Sequence, residues 1–442
     1  MKIAMIGTGY VGLVSGVCFS DFGHEVICVD KNQEKLTKLR AGETPIFEPG
    51  LDTLMARNIA ANRLSFTDDL KSATQDADAV FIAVGTPSRR GDGHADLSFV
   101  FGAVKEVAEA LTRPTVIVIK STVPVGTNQK VADLLKETRP DLDCDVVSNP
   151  EFLREGAAID DFMHPDRVVV GVQSDRGDEV MQEVYRPLSL RGYPVLTTDL
   201  ETAEMIKYAA NAFLATKVTF INEIAMLCER TGADVKDVAN GMGFDSRIGP
   251  KFLQAGPGYG GSCFPKDTKA LARIGQDNAV PLQIVETVIK VNEEVKRLMI
   301  DKIVDLCDEK LRDKTIAVLG LTFKPDTDDM RDAPALTVVP ALVGMGANVR
   351  VVDPQAFREA DALLPNVTWF EDAYEAVDGA DAVVLLTEWN EFRALDLRDM
   401  AGRMASARMA DLRNMYSCDY ALDAGFEAYT GMGRKSALLF DS

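Results

Sequence analysis

Histidine is scarce in this sequence, with only His24, His94 and His164 among 442 residues. A mechanism that needs several histidines, as general bases or as metal ligands, therefore has few candidates. The seven cysteines are odd in number and include no C-x-x-C spacing. Neither a disulfide framework nor a metal site is expected from that pattern, which favours a reducing compartment.

Positive charge is also in deficit, because 48 lysines and arginines stand against 68 aspartates and glutamates, a net charge of −20. Such a surface repels nucleic acid and anionic lipid, so we expect neither as a partner. No apolar run is long enough to span a bilayer, and the chain starts on a predicted strand rather than on a signal peptide. We therefore expect a cytoplasmic protein.

The first 30 residues contain a dinucleotide-binding fingerprint. A predicted strand at 2–6 leads into Gly-Thr-Gly-Tyr-Val-Gly at 7–12, a helical pattern follows, and a second strand at 25–29 ends at Asp30. This order of strand, glycine turn, helix, strand and acidic residue is typical of a Rossmann unit. Asp30 would accept hydrogen bonds from the adenosine ribose and repel a 2′-phosphate, which favours NAD over NADP.

Later predicted strands of the first 200 residues end at polar side chains. They lie at 78–84 before Thr86, at 115–120 before Thr122, and at 145–148 before Glu151 and Glu155, and a further strand is predicted at 167–172. Ligands of doubly wound sheets bind beyond the carboxyl ends of the strands, so these four side chains are candidate contacts. Each one, taken singly, is better explained as a turn or cap residue.

A long helix is predicted over 201–230, with Thr198 and Glu201 as its capping box and Gly232 after its end. Lys207 and Asn211 are four residues apart and would share one face of that helix. A second long helix at about 281–311 is long enough to bridge domains.

Residues 256–267 read Gly-Pro-Gly-Tyr-Gly-Gly-Ser-Cys-Phe-Pro-Lys-Asp. The four glycines would let the backbone approach a ligand closely. Pro265 suits a first helical position, which would place Cys263 just before a helix N-terminus with Lys266 nearby. Both features favour the thiolate, as a catalytic cysteine requires. Local sequence leaves open whether Cys263 is a nucleophile or an inert loop residue.

The last third repeats the opening α/β pattern. The strand at 315–319, the segment 346–353 and the segment 379–386 parallel residues 2–6, 23–30 and 76–83. We therefore expect a second doubly wound domain, although no G-x-G-x-x-G follows its first strand. Lys324 and Arg331 lie in an acidic loop, where either phosphate contacts or local salt bridges would explain them.

Taken together, the motifs resemble the UDP-glucose/GDP-mannose dehydrogenase family, in its UDP-glucose branch, over essentially the whole chain. The resemblance rests on the segments at 7–12, 85–87, 121–127, 149–156, 204–211, 256–267 and 320–325. It implies two Rossmann-like doubly wound α/β domains joined by a central helical domain with a long connecting helix. The implied boundaries are 1–200 for the NAD-binding domain, 201–310 for the central domain and 311–442 for the UDP-sugar-binding domain.

The resemblance also implies roles for particular residues. The implied catalytic residues are Cys263, Lys207, Asn211, Asp267, Thr122 and Glu151. The implied cofactor contacts are Gly7, Gly9, Tyr10, Val11, Gly12, Asp30, Lys35, Thr86, Thr122, Glu155, Lys266 and Arg331. The implied substrate contacts are Glu151, Phe152, Leu153, Arg154, Glu155, Lys207, Asn211, Arg247, Phe252, Leu253, Gln254, Ala255, Gly256, Gly260 and Lys324.

The implied activity is the NAD-dependent, two-step oxidation of UDP-glucose to UDP-glucuronate through a thiohemiacetal and a thioester on Cys263. Asp267 would activate the water that releases the acid, and Lys207 and Asn211 would stabilise the oxyanions. GDP-mannose and UDP-N-acetylmannosamine are alternative substrates within the same chemistry, and a binding-only nucleotide sensor is an alternative of another class. The resemblance further implies a homodimer or higher homo-oligomer, in which Arg247 reaches the substrate of the neighbouring subunit.

Overall fold

The structure is a computed structural model, and it describes residues 1–87, 89 and 93–437, with the backbone alone at 358 and 359. The chain forms two compact units, Met1–Ala210 with Arg273–Val280, and Asn211–Ala272 with Pro281–Ser442. Within the described ranges, none of the helices combines the length and the apolar character that crossing a membrane requires.

The first unit contains a sheet of eight strands among the described residues, in the order β3-β2-β1-β4-β5-β6-β7-β8. The strands are β1 (Lys2–Ile6), β2 (Glu25–Val29), β3 (Leu64–Thr67), β4 (Ala79–Ile82), β5 (Val116–Ile119), β6 (Asp145–Ser148), β7 (Val168–Gly171) and β8 (Val195–Thr198). Neighbouring strands are parallel except β6 and β7, which meet antiparallel at Ser148 and Gly171. The first six strands follow the Rossmann order, so the predicted fold of this part is confirmed.

The helices of the first unit connect these strands. They are α1 (Tyr10–Asp21), α2 (Gln33–Arg40), α3 (Leu51–Ala60), α4 (Leu70–Thr74), α5 (Ser98–Ala110), α6 (Thr127–Thr138), α7 (Ala158–Met163), α8 (Asp175–Val184) and α9 (Arg186–Ser189). The long helix α10 (Leu200–Thr231) then continues from the first unit into the second.

The sheet of the first unit separates two hydrophobic cores. All four residues of β5 are buried, and they alternate between the cores, with Val116 and Val118 in one and Ile117 and Ile119 in the other. The alternation arises because successive side chains of a strand point to opposite faces of the sheet. The central strands are continuous apolar runs because both faces of this parallel sheet are covered.

The second unit contains a parallel sheet of six strands within the described ranges, in the order β11-β10-β9-β12-β13-β14. The strands are β9 (Thr315–Leu319), β10 (Asn348–Val352), β11 (Thr368–Trp369), β12 (Ala382–Leu385), β13 (Arg408–Asp411) and β14 (Ala428–Gly431). When β9 is counted as the first strand, this order is the same as that of the first six strands of the other sheet. The second doubly wound domain is therefore confirmed.

The helices after α10 complete the chain. They are α11 (Val235–Gly243), α12 (Phe264–Asp277), α13 (Gln283–Leu306), α14 (Ala335–Gly344), α15 (Phe357–Leu363), α16 (Ala373–Val377), α17 (Asn390–Arg393), α18 (Leu397–Arg403) and α19 (Cys418–Asp423). Helix α13 is shorter at both ends than the predicted helix at about 281–311.

Two predicted helix starts differ from the structure. Thr198 is the last residue of β8, so it does not cap α10. Asp199 does, since it accepts a hydrogen bond from the backbone N–H of Thr202 at 2.7 Å. The capping box was wrong because strand pairing extends through the threonine and the next residue is itself a good cap. Helix α12 begins at Phe264, which makes Pro265 its second residue rather than its first.

Candidate active site

The glycine turn after β1 has the geometry that a pyrophosphate needs. Gly7 has a φ of +98°, and a side chain at Gly12 would begin 2.0 Å from the carbonyl oxygen of Gly7, so packing alone requires both glycines. A side chain at Gly9 would meet no described atom within 4 Å. Helix α1 starts there without a side-chain cap among the described residues, which leaves its first N–H groups for an anion. The turn therefore fits NAD.

Asp30 lies at the end of β2 and holds this turn. Its carboxylate accepts hydrogen bonds from the Thr8 backbone N–H at 3.0 Å and the Thr8 hydroxyl at 2.6 Å, and it forms an ion pair with Lys35 at 3.2 Å. Burial raises the pKa of Asp30, but these hydrogen bonds and one from the Asn32 backbone lower it further, to about 2. Asp30 is thus ionised and has a structural task in addition to its predicted ribose contact.

The second unit repeats this arrangement without the fingerprint. Asp353, after β10, accepts hydrogen bonds from the backbone N–H groups of Leu321 at 2.7 Å and Thr322 at 3.1 Å. An acidic residue at this position therefore stabilises the turn after the first strand in both sheets. The sequence repeat at 23–30 and 346–353 was the visible signal of this shared contact.

Thr86 and Thr122 follow the adjacent parallel strands β4 and β5. Ser121 joins the two loops, because its hydroxyl donates a hydrogen bond to the carbonyl oxygen of Val84 at 2.7 Å. The structure therefore brings these two predicted cofactor residues to one edge of the first sheet, as the rule for strand carboxyl ends requires.

Glu151 and Lys207 form a buried ion pair at 3.0 Å, with side chains 5% and 3% exposed. Burial raises the pKa of Glu151, but the charge of Lys207 and a hydrogen bond from the Leu153 backbone at 2.6 Å outweigh it, so the pKa of Glu151 lies below its ordinary value. The Lys207 ammonium also lies 5.3 Å from the centre of the Phe152 ring. Three predicted site residues, Glu151, Phe152 and Lys207, thus meet in the first unit.

Lys120 is a charged residue near this pair that the sequence did not single out. It follows β5, is buried, and its ammonium lies 3.2 Å from the side-chain oxygen of Asn149 and 3.4 Å from the Tyr185 hydroxyl. Burial lowers the pKa of Lys120 to about 8, while the charge of Glu151 raises it and that of Lys207 lowers it. The sequence did carry a signal for this buried charge, namely a lysine directly after the apolar run at 116–119.

In the second unit, three hydrogen bonds to the backbone hold the glycine-rich segment before Cys263. The Gly256 N–H donates to the side chain of Asn222 on α10 at 2.9 Å, and the Tyr259 N–H donates to that of Asn292 on α13 at 2.8 Å. The Gly261 N–H donates to the carbonyl oxygen of Arg331 at 2.7 Å. Helix α10, helix α13 and the backbone at Arg331 therefore all hold the segment that leads into Cys263.

Two glycines of this segment, Gly260 and Gly261, are required by the protein's own packing. A side chain at Gly260 would begin 2.5 Å from the carbonyl oxygen of Asp332, and one at Gly261 would begin 2.7 Å from the Phe323 ring. The packing of the protein itself is thus enough to explain these two glycines, and the close approach of a ligand expected from the sequence stays a prediction. The loop that carries Lys324 and Arg331 packs in the space where these two side chains would lie.

Cys263 is half-buried at the start of α12, where its carbonyl oxygen accepts the first helical hydrogen bond, from Asp267, at 2.8 Å. The Ser262 hydroxyl lies 3.5 Å from its Sγ. Asp267 is 1% exposed, accepts a hydrogen bond from the Asn211 amide at 2.6 Å, and pairs with Lys266 at 2.6 Å. Asn211 and Lys266 therefore both meet Asp267, four residues after Cys263, in the first turn of α12 at the positive end of the helix.

Other predicted contacts have local partners. Arg331 pairs with Asp329 at 2.8 Å, which is the salt-bridge interpretation offered from sequence, and Arg154 pairs with Asp161 at 2.6 Å. Arg247 is 87% exposed, beside Asp245. The predicted contacts at 252–256 lie on the segment that leads into the other glycines, with Leu253, Ala255 and Gly256 buried, Phe252 half-buried and Gln254 exposed.

Three models of the UDP-glucose/GDP-mannose dehydrogenase family match the chain in order. The NAD-binding domain matches residues 1–189, the central domain 201–294 and the UDP-binding domain 317–418. The chain belongs to this family. As a member, it is an NAD-dependent oxidoreductase.

Relatives within the UDP-glucose/GDP-mannose dehydrogenase family cover the chain almost completely. A UDP-glucose 6-dehydrogenase of Rhizobium meliloti is 58% identical over 98% of this chain and 100% of its own. A UDP-glucose dehydrogenase structure from Pyrobaculum islandicum has a TM-score of 0.90 at 38% identity, covering 98% of each chain. A UDP-D-ManNAc dehydrogenase from Pyrococcus horikoshii still has a TM-score of 0.86 at 26% identity, covering 98% of this chain and 99% of that one. The shared fold therefore does not by itself select the sugar.

Proposed function

We propose that the chain oxidises UDP-glucose at its primary alcohol to UDP-glucuronate, with two equivalents of NAD. The observation that carries the chemistry is Cys263 at the N-terminus of α12, four residues before Asp267, which is buried and bonded to Asn211. The full-length identity of 58% to a UDP-glucose 6-dehydrogenase supports the choice of sugar. NAD, when bound at the glycine turn, supplies the hydride acceptor for each of the two oxidations.

The first oxidation needs a group that takes the hydroxyl proton. Glu151 and Lys207 suit this task, because their buried ion pair can hold or pass a proton where water is excluded. Lys207 would then stabilise the alkoxide as the carbon loses its hydride. The product of this step is the aldehyde at the same carbon.

The second oxidation proceeds through Cys263. Its Sγ adds to the aldehyde carbon, the carbonyl oxygen takes a proton, and a thiohemiacetal forms. Loss of the remaining hydride and of the hydroxyl proton converts this adduct to a thioester. Water then adds to the thioester and the thiol leaves, so that the acid is released and Cys263 is restored. The start of α12 favours the thiolate that begins this sequence.

Asn211 and Asp267 would assist the release step. Asp267 keeps acceptor capacity beyond the bonds from Asn211 and Lys266, because the two oxygens of a carboxylate offer about four lone-pair positions. It would accept a proton from the attacking water. Its hydrogen bond fixes the Asn211 amide, which would donate its other N–H to the developing oxyanion.

The deciding experiment measures NADH and acid with each sugar nucleotide in turn. We expect two NADH per UDP-glucuronate from UDP-glucose, and no acid from Cys263→Ala, which should still bind NAD. Cys144→Ala is the matched control, because Cys144 is also half-buried. NADH with GDP-mannose or UDP-N-acetylmannosamine alone would overturn the substrate, no NADH with any of them would favour the sensor, and normal acid output from Cys263→Ala would end the covalent mechanism.

We further infer a homodimer or higher homo-oligomer in the cytoplasm. Phe213, Phe220 and Leu227 are exposed on α10 at intervals of seven residues, so they share one face of the helix. A second copy of the chain would cover this apolar face, and the exposed Arg247 would reach toward that copy. The seven cysteines form no disulfide within the described chain, which supports a reducing compartment.

A further inference from the structure

Glu48 joins two parts of the first unit that are distant in sequence. It lies in the segment before α3 and is only 6% exposed. Its Oε2 accepts a hydrogen bond from the Gly156 N–H at 2.7 Å, and its Oε1 accepts one from the Ala158 N–H at 2.7 Å. The Tyr10 hydroxyl also donates to Oε2, and the Gly156 N–H lies 3.1 Å from the Tyr10 oxygen.

The partners of Glu48 are all donors, so the position needs a side chain whose two oxygens both accept hydrogen bonds. Burial and the Glu48 carboxylate raise the pKa of Tyr10, which keeps its hydroxyl protonated and able to donate. A glutamine at position 48 would turn an NH₂ group toward one of these donors. A buried polar group without its partner is costly, so even this isosteric change should move the loop.

The two ends of this network are functional segments. Tyr10 is the first residue of α1 and belongs to the glycine turn that fits pyrophosphate. Gly156, with a φ of +77°, closes the segment that carries Glu151 and Glu155 after β6. Glu48 therefore connects the cofactor turn to the loop that the proposed function assigns to the alcohol.

We propose that Glu48, with Tyr10 as its partner, is a positioning residue that sets the loop at 151–156 against the cofactor turn. In this role Glu48 touches neither substrate nor cofactor and acts through its hydrogen bond with the backbone of Gly156. The proposal rests on the proposed function, since alignment of that loop matters only if Glu151 assists the oxidation. The simpler alternative is that Glu48 only caps the short helix α7.

The test compares Tyr10→Phe and Glu48→Gln with wild type, using the sugar nucleotide that wild type oxidises. Misaligned reacting groups lose rate steeply, so we expect kcat to fall about fivefold in Tyr10→Phe and about fiftyfold in Glu48→Gln. The dissociation constant for NAD should change less than about twofold, because both variants keep the backbone N–H groups of the glycine turn, including that of residue 10. Tyr193→Phe is the matched control and should keep the wild-type kcat, since its ring packs edge-on against His164 at 6.2 Å.

The double variant separates positioning from capping. Tyr10 and Glu48 share one hydrogen bond, so Tyr10→Phe should add little to the loss in Glu48→Gln. A wild-type kcat in Tyr10→Phe, or losses that multiply in the double variant, would overturn the proposal. If Glu48→Gln does not fold, the kcat and NAD affinity of Tyr10→Phe still decide the question. Failure of wild type to oxidise UDP-glucose would refute the proposed substrate instead.

Discussion

Lys120, Glu151 and Lys207 are among the buried charged side chains of the first unit. Buried charges are tolerated when they are paired and hydrogen-bonded, and Glu151 and Lys207 meet that condition in their ion pair. Lys120 contacts neutral oxygens of Asn149 and Tyr185 instead. The burial of its charge is therefore costly.

This cost predicts a pH dependence of stability. The pKa of Lys120 is lowered from 10.5 to about 8 in the folded protein, so the unfolded state binds more protons between these values. The destabilising contribution is fully present below pH 8 and is lost as pH rises toward 10.5. We expect wild type to gain on the order of 3 kcal/mol relative to Lys120→Met across this window.

Urea unfolding between pH 7 and pH 10.5 measures this difference. Lys130→Met is the control, because Lys130 is exposed on α6 and its loss should leave the pH profile unchanged. Parallel profiles for wild type and Lys120→Met would show that Lys120 is not charged and buried as described.

Among the helices, α1 depends on two glycines in different ways. A side chain at Gly12 collides with the carbonyl of Gly7, whereas one at Gly9 meets no described atom within 4 Å. We therefore expect Gly12→Ala to destabilise the protein by roughly 3 kcal/mol, as overpacking against rigid backbone does. Gly9→Ala should fold with near wild-type stability but bind NAD at least about tenfold more weakly, because its methyl group occupies the pyrophosphate position.

Thermal unfolding with and without NAD distinguishes the two variants. Wild type should gain stability from NAD by mass action, and Gly9→Ala should lose that gain at the same NAD concentration. A wild-type response to NAD in Gly9→Ala would remove Gly9 from the cofactor site. Unchanged stability of Gly12→Ala would contradict the close contact between the turn and α1.

At the scale of the whole molecule, the exposed apolar face of α10 predicts self-association. Replacing Phe213 and Leu227 with glutamate should break the assembly, since charge would enter an apolar interface. Sedimentation equilibrium should then give a lower mass than wild type. Leu190→Glu with Met345→Glu is the control, because both residues are exposed but lie on other elements. An unchanged mass of the α10 variant would show that this face is not the interface.

The sequence by itself determined most of the fold. The strands at 2–6, 25–29 and 145–148 were predicted with the bounds that the structure has, and α10 was predicted to within one residue at each end. These elements are readable because short-range periodicity and glycine signals decide them. The resemblance of the motifs then supplied the family, which the comparisons confirmed.

Only the tertiary structure decided which side chains meet. The contact of Glu48 with Gly156 joins residues 108 positions apart, and that of Glu151 with Lys207 joins residues 56 positions apart. No local pattern marks such pairs, because they depend on which loops the sheet brings to its edge. For the same reason, the burial of Lys120 and the packing around Gly260 could not be predicted: neighbours distant in sequence set both.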